Sequence, residues 1–193
     1  MFGSITDTIK LCKLGYYRNG LNYSKQESGC VIHCIGVGDF QTNTYTDEID
    51  EIPSIMIEKE PTGQYLADGD IVFVRSNGNK ELIGRSMLAR NIPERTSYSG
   101  FCIAFHNESK KFLSEFLIHY LHQDLTRQKL FNKGRGANIS NLTQDMLSNL
   151  DVPRASINDQ KEFIEFVNQV DKSKVICKRQ IKIYRDVPTF FHS

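Results

Sequence analysis

Between Ser156 and Asp186 the chain contains neither glycine nor proline, and one narrow stripe runs through that stretch. Its members are Phe163, Val167, Val170, Lys174, Cys177, Ile181 and Tyr184. Their spacing alternates four and three, a seven-residue repeat interrupted in character only by Lys174. A helix buried in a globular core needs a wider apolar face, so a stripe this narrow suits the seam of a coiled coil. Ser156 followed by Asp159 resembles a helix-starting capping box, with Asp in place of the usual Glu. At 1.5 Å per residue, a helix of about 30 residues reaches about 45 Å, more than the domain preceding it needs. The helix is therefore expected to project and to seek a partner. The other reading is a long helix folded back on its own sheet. The Lys174 stem is placed along the seam with its ammonium in water.

The rest of the 193 residues has another texture. Short apolar runs rich in β-branched and aromatic residues alternate with Gly, Asn, Asp and Pro, which argues for strands. They are Cys30 to Ile35, Ile71 to Arg75, Leu82 to Ala89 and Gly100 to Phe105. Asn77-Gly78 lies between the second and third, a local signal for a tight hairpin turn with positive φ. From Lys111 to Phe131 the period changes to that of a helix, with Phe112, Leu113, Phe116, Leu117, Tyr120, Leu121 and Leu125 on one face. Gly134-Arg-Gly136 is expected to stop it, and a short helix over Thr143 to Leu150 leads into an extended piece ending at Pro153. The expected fold is α+β: a compact β-rich domain with packed helices over 1–153, followed by a long coiled-coil-type helix over 154–193.

Several classes of function are tested by their motifs. No run approaches the ~18 apolar residues of a membrane span. Met1 to Lys13 lacks the basic and apolar regions of a secretory signal. Five cysteines, an odd number, point to reduced thiols in a cytoplasm rather than to a disulfide framework. Gly36-Val-Gly38 does not open a helix as a cofactor-binding turn does, Asn91-Ile-Pro-Glu94 lacks the aromatic that holds a flipped base, and no phosphate-loop motif is present. Glu108-Ser-Lys110 has the spelling of a nuclease strand but sits in a polar turn. Cys30, His33, Cys34, Cys102 and His106 contain zinc-binding residue types. Yet four-residue spacing on a strand parts Cys30 from Cys34 by ~13 Å, and His33 faces the other way, so buried thiols are the better reading.

The net charge of +1 conceals a segregation. Residues 36–70 carry nine acids against one base, and residues 75–135 carry eleven bases against five acids. A fold that brings the blocks together cancels them; a fold that keeps them apart leaves a basic face for phosphate. Three polar loops fall in or beside the basic block. The first holds Arg75, Ser76, Asn77, Asn79 and Lys80, with Arg85 after it; the second holds Arg95, Ser97 and Tyr98, together with Thr96 and Ser99; the third holds Lys133, Arg135 and Asn138, together with Ser140 and Asn141. Arg and Lys neutralise phosphate or pair with guanine, Asn bridges adenine through two hydrogen bonds, and Ser fixes register. These residues are the candidate duplex-DNA contacts.

An ordered set of stretches carries a resemblance: Leu66-Ala-Asp-Gly-Asp-Ile-Val-Phe-Val-Arg-Ser-Asn-Gly78, Leu82-Ile-Gly-Arg-Ser86, Tyr98-Ser-Gly-Phe-Cys-Ile103, Gly136-Ala-Asn-Ile-Ser140, and Leu150-Asp-Val-Pro153 leading to Gln160. In these the chain resembles the specificity (S) subunit of type I restriction-modification systems, as one target-recognition domain with its following helix. The resemblance covers roughly 66–160, with a looser match before it. It implies a non-catalytic, prokaryotic cytoplasmic subunit that reads double-stranded DNA. Methyltransferase (M) subunits would carry the S-adenosylmethionine chemistry and restriction (R) subunits the ATP- and Mg-dependent steps, with no cofactor in this chain. A typical S subunit has two recognition domains and two helices. One of each implies a half-length subunit, which is the preferred reading, or a piece of a longer one. A half-length subunit is expected to form a homodimer through 157–186 and to read an interrupted palindrome. The alternative is a free-standing dimeric DNA-binding module without enzyme partners.

Overall fold

The computed structural model describes residues 7–24, 28–132 and 141–186. The chain divides into two compact units, Met1–Arg154 and Ala155–Ser193. Among the described residues no helix is long and apolar enough to cross a membrane.

The first unit is built around the run Ile71-Val-Phe-Val, all four residues of which are buried. A strand apolar on both faces must be central and covered on both sides. This strand, β5 (Ile71–Val74), lies in a four-stranded antiparallel sheet with β2 (Gly15–Asn19), β6 (Ser86–Leu88) and β8 (Cys102–Asn107), ordered β2-β8-β5-β6. On one face Val72, Val74, Met87, Cys102 and Ala104 join a cluster with Ile35 and Tyr98. Those two residues belong to a second sheet, in which β3 (Cys30–Ile35) pairs antiparallel with β4 (Ser54–Ile57) and parallel with β7 (Thr96–Tyr98). By alternation Ile71, Phe73, Ile103 and Phe105 point to the opposite face. There α1 (Ser114–Leu121) packs against β6 and buries Phe116, Leu117, Ile118, Tyr120 and Leu121. A third, two-stranded sheet joins β1 (Thr8–Lys10) to β9 (Asp151–Pro153), closing the two ends of the unit on each other.

Two expectations are corrected. Lys111 to Phe131 is not one helix: α1 ends at Leu121 and α2 (Asp124–Asn132) starts afresh. The His122 amide still reaches back to Ile118, but Gln123 turns to Tyr120 and its own carbonyl receives Thr126 and Arg127. Asp124 suits the positive end of a new helix. Leu125, placed on the buried face by periodicity, is 68% exposed, whereas Thr126 is buried. Asn77-Gly78 also does not make a two-residue hairpin turn. β5 and β6 do pair as a hairpin, but the ladder is prolonged by the Val74 amide donating to the Arg85 carbonyl and the Gly84 amide to the Val74 carbonyl. Positive φ falls on Gly84 instead, at +78°. The intervening chain forms a single 3-10 turn, Lys80–Leu82, capped by the Asn79 side chain. The stop at Gly134 to Gly136 lies outside the described residues. The short helix is α3 (Gln144–Ser148), capped by Thr143.

The second unit contains α4 (Ile157–Asp186), 30 residues without a break. Its start is a reciprocal capping box: the Asp159 amide donates to Ser156 Oγ at 3.2 Å and the Ser156 amide to Asp159 Oδ2 at 3.3 Å. On its surface Phe166 and Ile176 are 50% and 57% exposed. Lys174 interrupts the apolar stripe, and its ammonium is drawn aside to Asp171 at 2.9 Å.

Candidate nucleic-acid interface

One end of the four-stranded sheet gathers segments distant in sequence. β5 leaves its buried run at Val74 and emerges as Arg75, which is exposed. The Arg75 amide donates to the Phe101 carbonyl at 2.7 Å, and the Ser76 amide to the same oxygen at 3.3 Å. The Arg75 carbonyl in turn accepts from the Leu142 amide at 2.7 Å. The first polar loop is thus pinned both to the turn before β8 and to the chain that follows the third loop. A third segment joins through a parallel bridge between Leu21 and Ser99 and through the Gly100 amide, which donates to Leu21 at 2.7 Å. Gln144 Nε2 donates to Asn19 Oδ1 at 3.1 Å across the same end.

Within the first loop, Asn77 Oδ1 accepts from the Asn79 amide at 2.7 Å and Asn79 Oδ1 from the Glu81 amide at 3.0 Å. These turns hold the loop's shape while Arg75, Asn79 and Lys80 stay exposed. Arg75, Ser76, Asn77, Asn79 and Lys80 therefore form one surface. The other predicted residues sit elsewhere. The Arg85 guanidinium donates to the carbonyls of Phe40, at 3.4 Å, and Gln41, so it fastens the segment after β3. Arg95 lies at the far end of β7, with φ of +58° and its guanidinium 2.6 Å from Glu60. The Tyr65 hydroxyl and that guanidinium hold the Glu60 carboxyl below the usual carboxylate range. Ser97 and Tyr98 are 0% and 1% exposed. Their hydroxyls donate to the Gln64 carbonyl at 2.7 Å and the Arg18 carbonyl at 3.2 Å, inside the fold. Lys133, Arg135 and Asn138 lie outside the described residues.

The acidic and basic blocks meet in part. Besides Arg95 with Glu60, Arg90 grips Asp47 through two hydrogen bonds of 2.8 and 2.9 Å. Ser99 and Asn141, read as members of the second and third polar loops, share the end of the sheet with Arg75; sequence reasoning missed Asn19, Asn22, Phe101 and Gln144 there. Alternation places Phe101 inside the strand run Gly100 to Phe105, but the strand starts at Cys102 and Phe101 lies in the turn before it.

Among the described residues the surface presents cations, amides and hydroxyls without a nucleophile paired to a base. Burial pushes the Cys34 thiol up and the Cys102 thiol up to about 12, so both stay protonated at neutral pH. Among the described residues no three His, Cys, Asp or Glu side chains gather as metal ligands. What the surface can do chemically is grip phosphate and meet the edges of bases.

Comparison with known proteins adds to this geometry. The type I restriction modification DNA specificity domain matches residues 17–183. Over 159 residues the chain is 28% identical to the StySPI specificity subunit of Salmonella potsdam, covering 80% of this chain and 33% of that one. It is 26% identical to the EcoKI specificity subunit of Escherichia coli strain K12, covering 80% and 32%. The chain thus spans about one third of the length of these curated relatives. The HsdS subunit from Thermoanaerobacter tengcongensis shares the fold, with a TM-score of 0.66 at 13% identity over 93% of this chain and 46% of that one. The match runs from Tyr17 in β2 to the last turn of α4, and the chain belongs to the type I restriction-modification DNA specificity family.

Proposed function

We propose that this chain is the sequence-reading component of a type I restriction-modification assembly. Its first unit, 1–153 by the sequence reading, grips duplex DNA, and its helix from 154 onward joins it to partners. The observation that carries the reading is the pinned loop of Arg75, Ser76, Asn77, Asn79 and Lys80 at one end of the sheet of a specificity-family domain. Lys133, Arg135 and Asn138 complete the proposed contacts from the third loop, while Arg85, Arg95, Ser97 and Tyr98 support the scaffold. Catalysis resides in methyltransferase subunits that bind S-adenosylmethionine and in restriction subunits that use ATP and Mg. The helix docks a methyltransferase subunit and pairs with a second copy, so that two recognition surfaces read an interrupted palindrome.

The test compares the methylome of host cells with and without this gene, then measures binding of the complex to a duplex carrying the motif found. The expected result is loss of one bipartite motif, and affinity that falls steeply with salt. An Arg75→Ala variant is expected to lose about 1–3 kcal/mol if Arg75 pairs with a base. An unchanged methylome, together with no binding to any duplex, would overturn the reading.

A further inference from the structure

Phe101 is 61% exposed, yet its backbone amide and carbonyl are both hydrogen-bonded. The amides around it are all engaged: Ser99 donates to Ile35 at 2.9 Å, Gly100 to Leu21 at 2.7 Å and Cys102 to Ser99 at 2.8 Å. The Phe101 amide itself donates to Ser99 Oγ at 3.3 Å. Its carbonyl receives both Arg75 and Ser76. At Gly100 a Cβ would stand 2.1 Å from Asn22 Oδ1, so the turn and the segment carrying Asn22 are in close contact. An aromatic ring is thus mounted on a rigid turn and left facing solvent.

A single exposed apolar side chain is ordinary on a protein surface. What distinguishes Phe101 is its company. Its backbone is bonded to that of Arg75, and Ser76, Ser99 and Asn22 surround the same turn. A contiguous exposed apolar patch would mark a protein-docking site; this ring is set among hydrogen-bonding groups instead. Backbones joined in this way stand about 5 Å apart, so their side chains reach neighbouring base pairs, which rise 3.4 Å per step. In the major groove the apolar feature available is the thymine methyl group.

We infer that Phe101 is a specificity-determining residue that contacts the 5-methyl group of a thymine, one base pair from the base met by Arg75. The inference rests on the proposed function and adds to it an apolar contact beside the polar ones. Polar groups of the loop discriminate donors from acceptors; the ring discriminates methyl from its absence.

Deoxyuridine in place of thymine removes the methyl and leaves every hydrogen-bonding group. The full chain with its methyltransferase partner is titrated with duplexes carrying the motif identified in the methylome, each with one thymine replaced by deoxyuridine. One replacement is expected to weaken binding about threefold to tenfold for the native chain and not at all for Phe101→Ala, with Phe101→Leu intermediate. Phe101→Ala that retains native affinity and native sensitivity to every deoxyuridine overturns the inference while leaving the DNA-reading function intact. So does a Phe101→Ala variant that loses only its hold on the methyltransferase, which would make the ring a protein contact. A rise in 2-aminopurine fluorescence on binding that depends on Phe101 would make the ring a wedge between base pairs, and also overturns it. A native chain that binds no duplex defeats the proposed function itself.

Discussion

Arg90 and Asp47, 43 residues apart, are joined by a forked pair of hydrogen bonds, Nε to Oδ2 at 2.8 Å and Nη2 to Oδ1 at 2.9 Å. The guanidinium also lies 3.7 Å from the centre of the Tyr45 ring, and Asn91 adds a third hydrogen bond to the carboxylate at 3.2 Å. A basic residue that the charge pattern offered to phosphate is thereby used to fasten the acidic block.

This pair sets a pH dependence. The hydrogen bonds from Arg90 hold the Asp47 carboxyl below its ordinary value. A carboxyl with a depressed native pKa stabilises the fold above its unfolded pKa, about 3.9, and loses that contribution as pH falls through the native one. The pair is partly exposed, with side chains 39% and 26% accessible, so the effect is modest. Asp47→Asn is expected to lower stability by about 0.5–1 kcal/mol at pH 7. Urea denaturation at successive pH values should show the gap shrinking below about pH 4. A gap that is unchanged at pH 3 would remove the ion pair as its cause.

Two glycines of the β5–β6 connection should respond in opposite ways. Gly84 has φ of +78°, and a Cβ there would meet the Phe131 ring at 2.4 Å. Gly78 has an ordinary φ and nothing within 4 Å of the Cβ position. Gly84→Ala is expected to cost about 1–3 kcal/mol, and Gly78→Ala to be neutral or to stabilise by up to about 1 kcal/mol. Thermal melts of the two variants decide it. The reverse ranking would restore the tight Asn-Gly turn that the local sequence suggested.

That reversal marks where local reasoning ends. Period-2 and period-3.6 patterns are properties of a few adjacent residues, so Cys30 to Ile35, Ile71 to Val74, α1 and α4 could be read directly from the sequence. The capping box at Ser156 and Asp159 was legible for the same reason. The break at Gln123 was not, because it depends on where Thr126 and Leu125 end up in the packed domain. The site divides likewise. Loop composition grouped Arg75, Ser76, Asn77, Asn79 and Lys80, which the fold keeps on one surface. It could not tell that Tyr98 and Ser97 turn inward, or that Glu60 holds Arg95, since both facts come from contacts across more than 30 residues. Asn22 and Phe101 were invisible because their company is assembled by the Leu21–Ser99 bridge.

Tyr98 separates scaffold from contact. Its ring is 1% exposed and its hydroxyl donates to the Arg18 carbonyl at 3.2 Å. Tyr98→Phe removes one buried hydrogen bond and is expected to destabilise by about 1 kcal/mol. Duplex affinity of the folded variant, measured well below its melting temperature, should stay native. A large loss of affinity with unchanged stability would return Tyr98 to the binding surface.

The helix makes the last case. The proposed seam through Phe163, Val167, Val170, Lys174, Cys177, Ile181 and Tyr184 carries one charge, and Asp171 holds that ammonium at 2.9 Å. A lysine at a seam position weakens association while limiting register and partner choice. Replacing Lys174 with Leu should tighten self-association, whereas Val170→Asp should weaken it about tenfold by placing a carboxylate at the interface. Light scattering across a concentration series reads both effects. Val170 is half-buried and Lys174 exposed, and neither substitution is expected to unfold the first unit, which circular dichroism checks. If Lys174→Leu and Val170→Asp leave the mass equal to that of the native chain at every concentration, the stripe does not pair with a second copy.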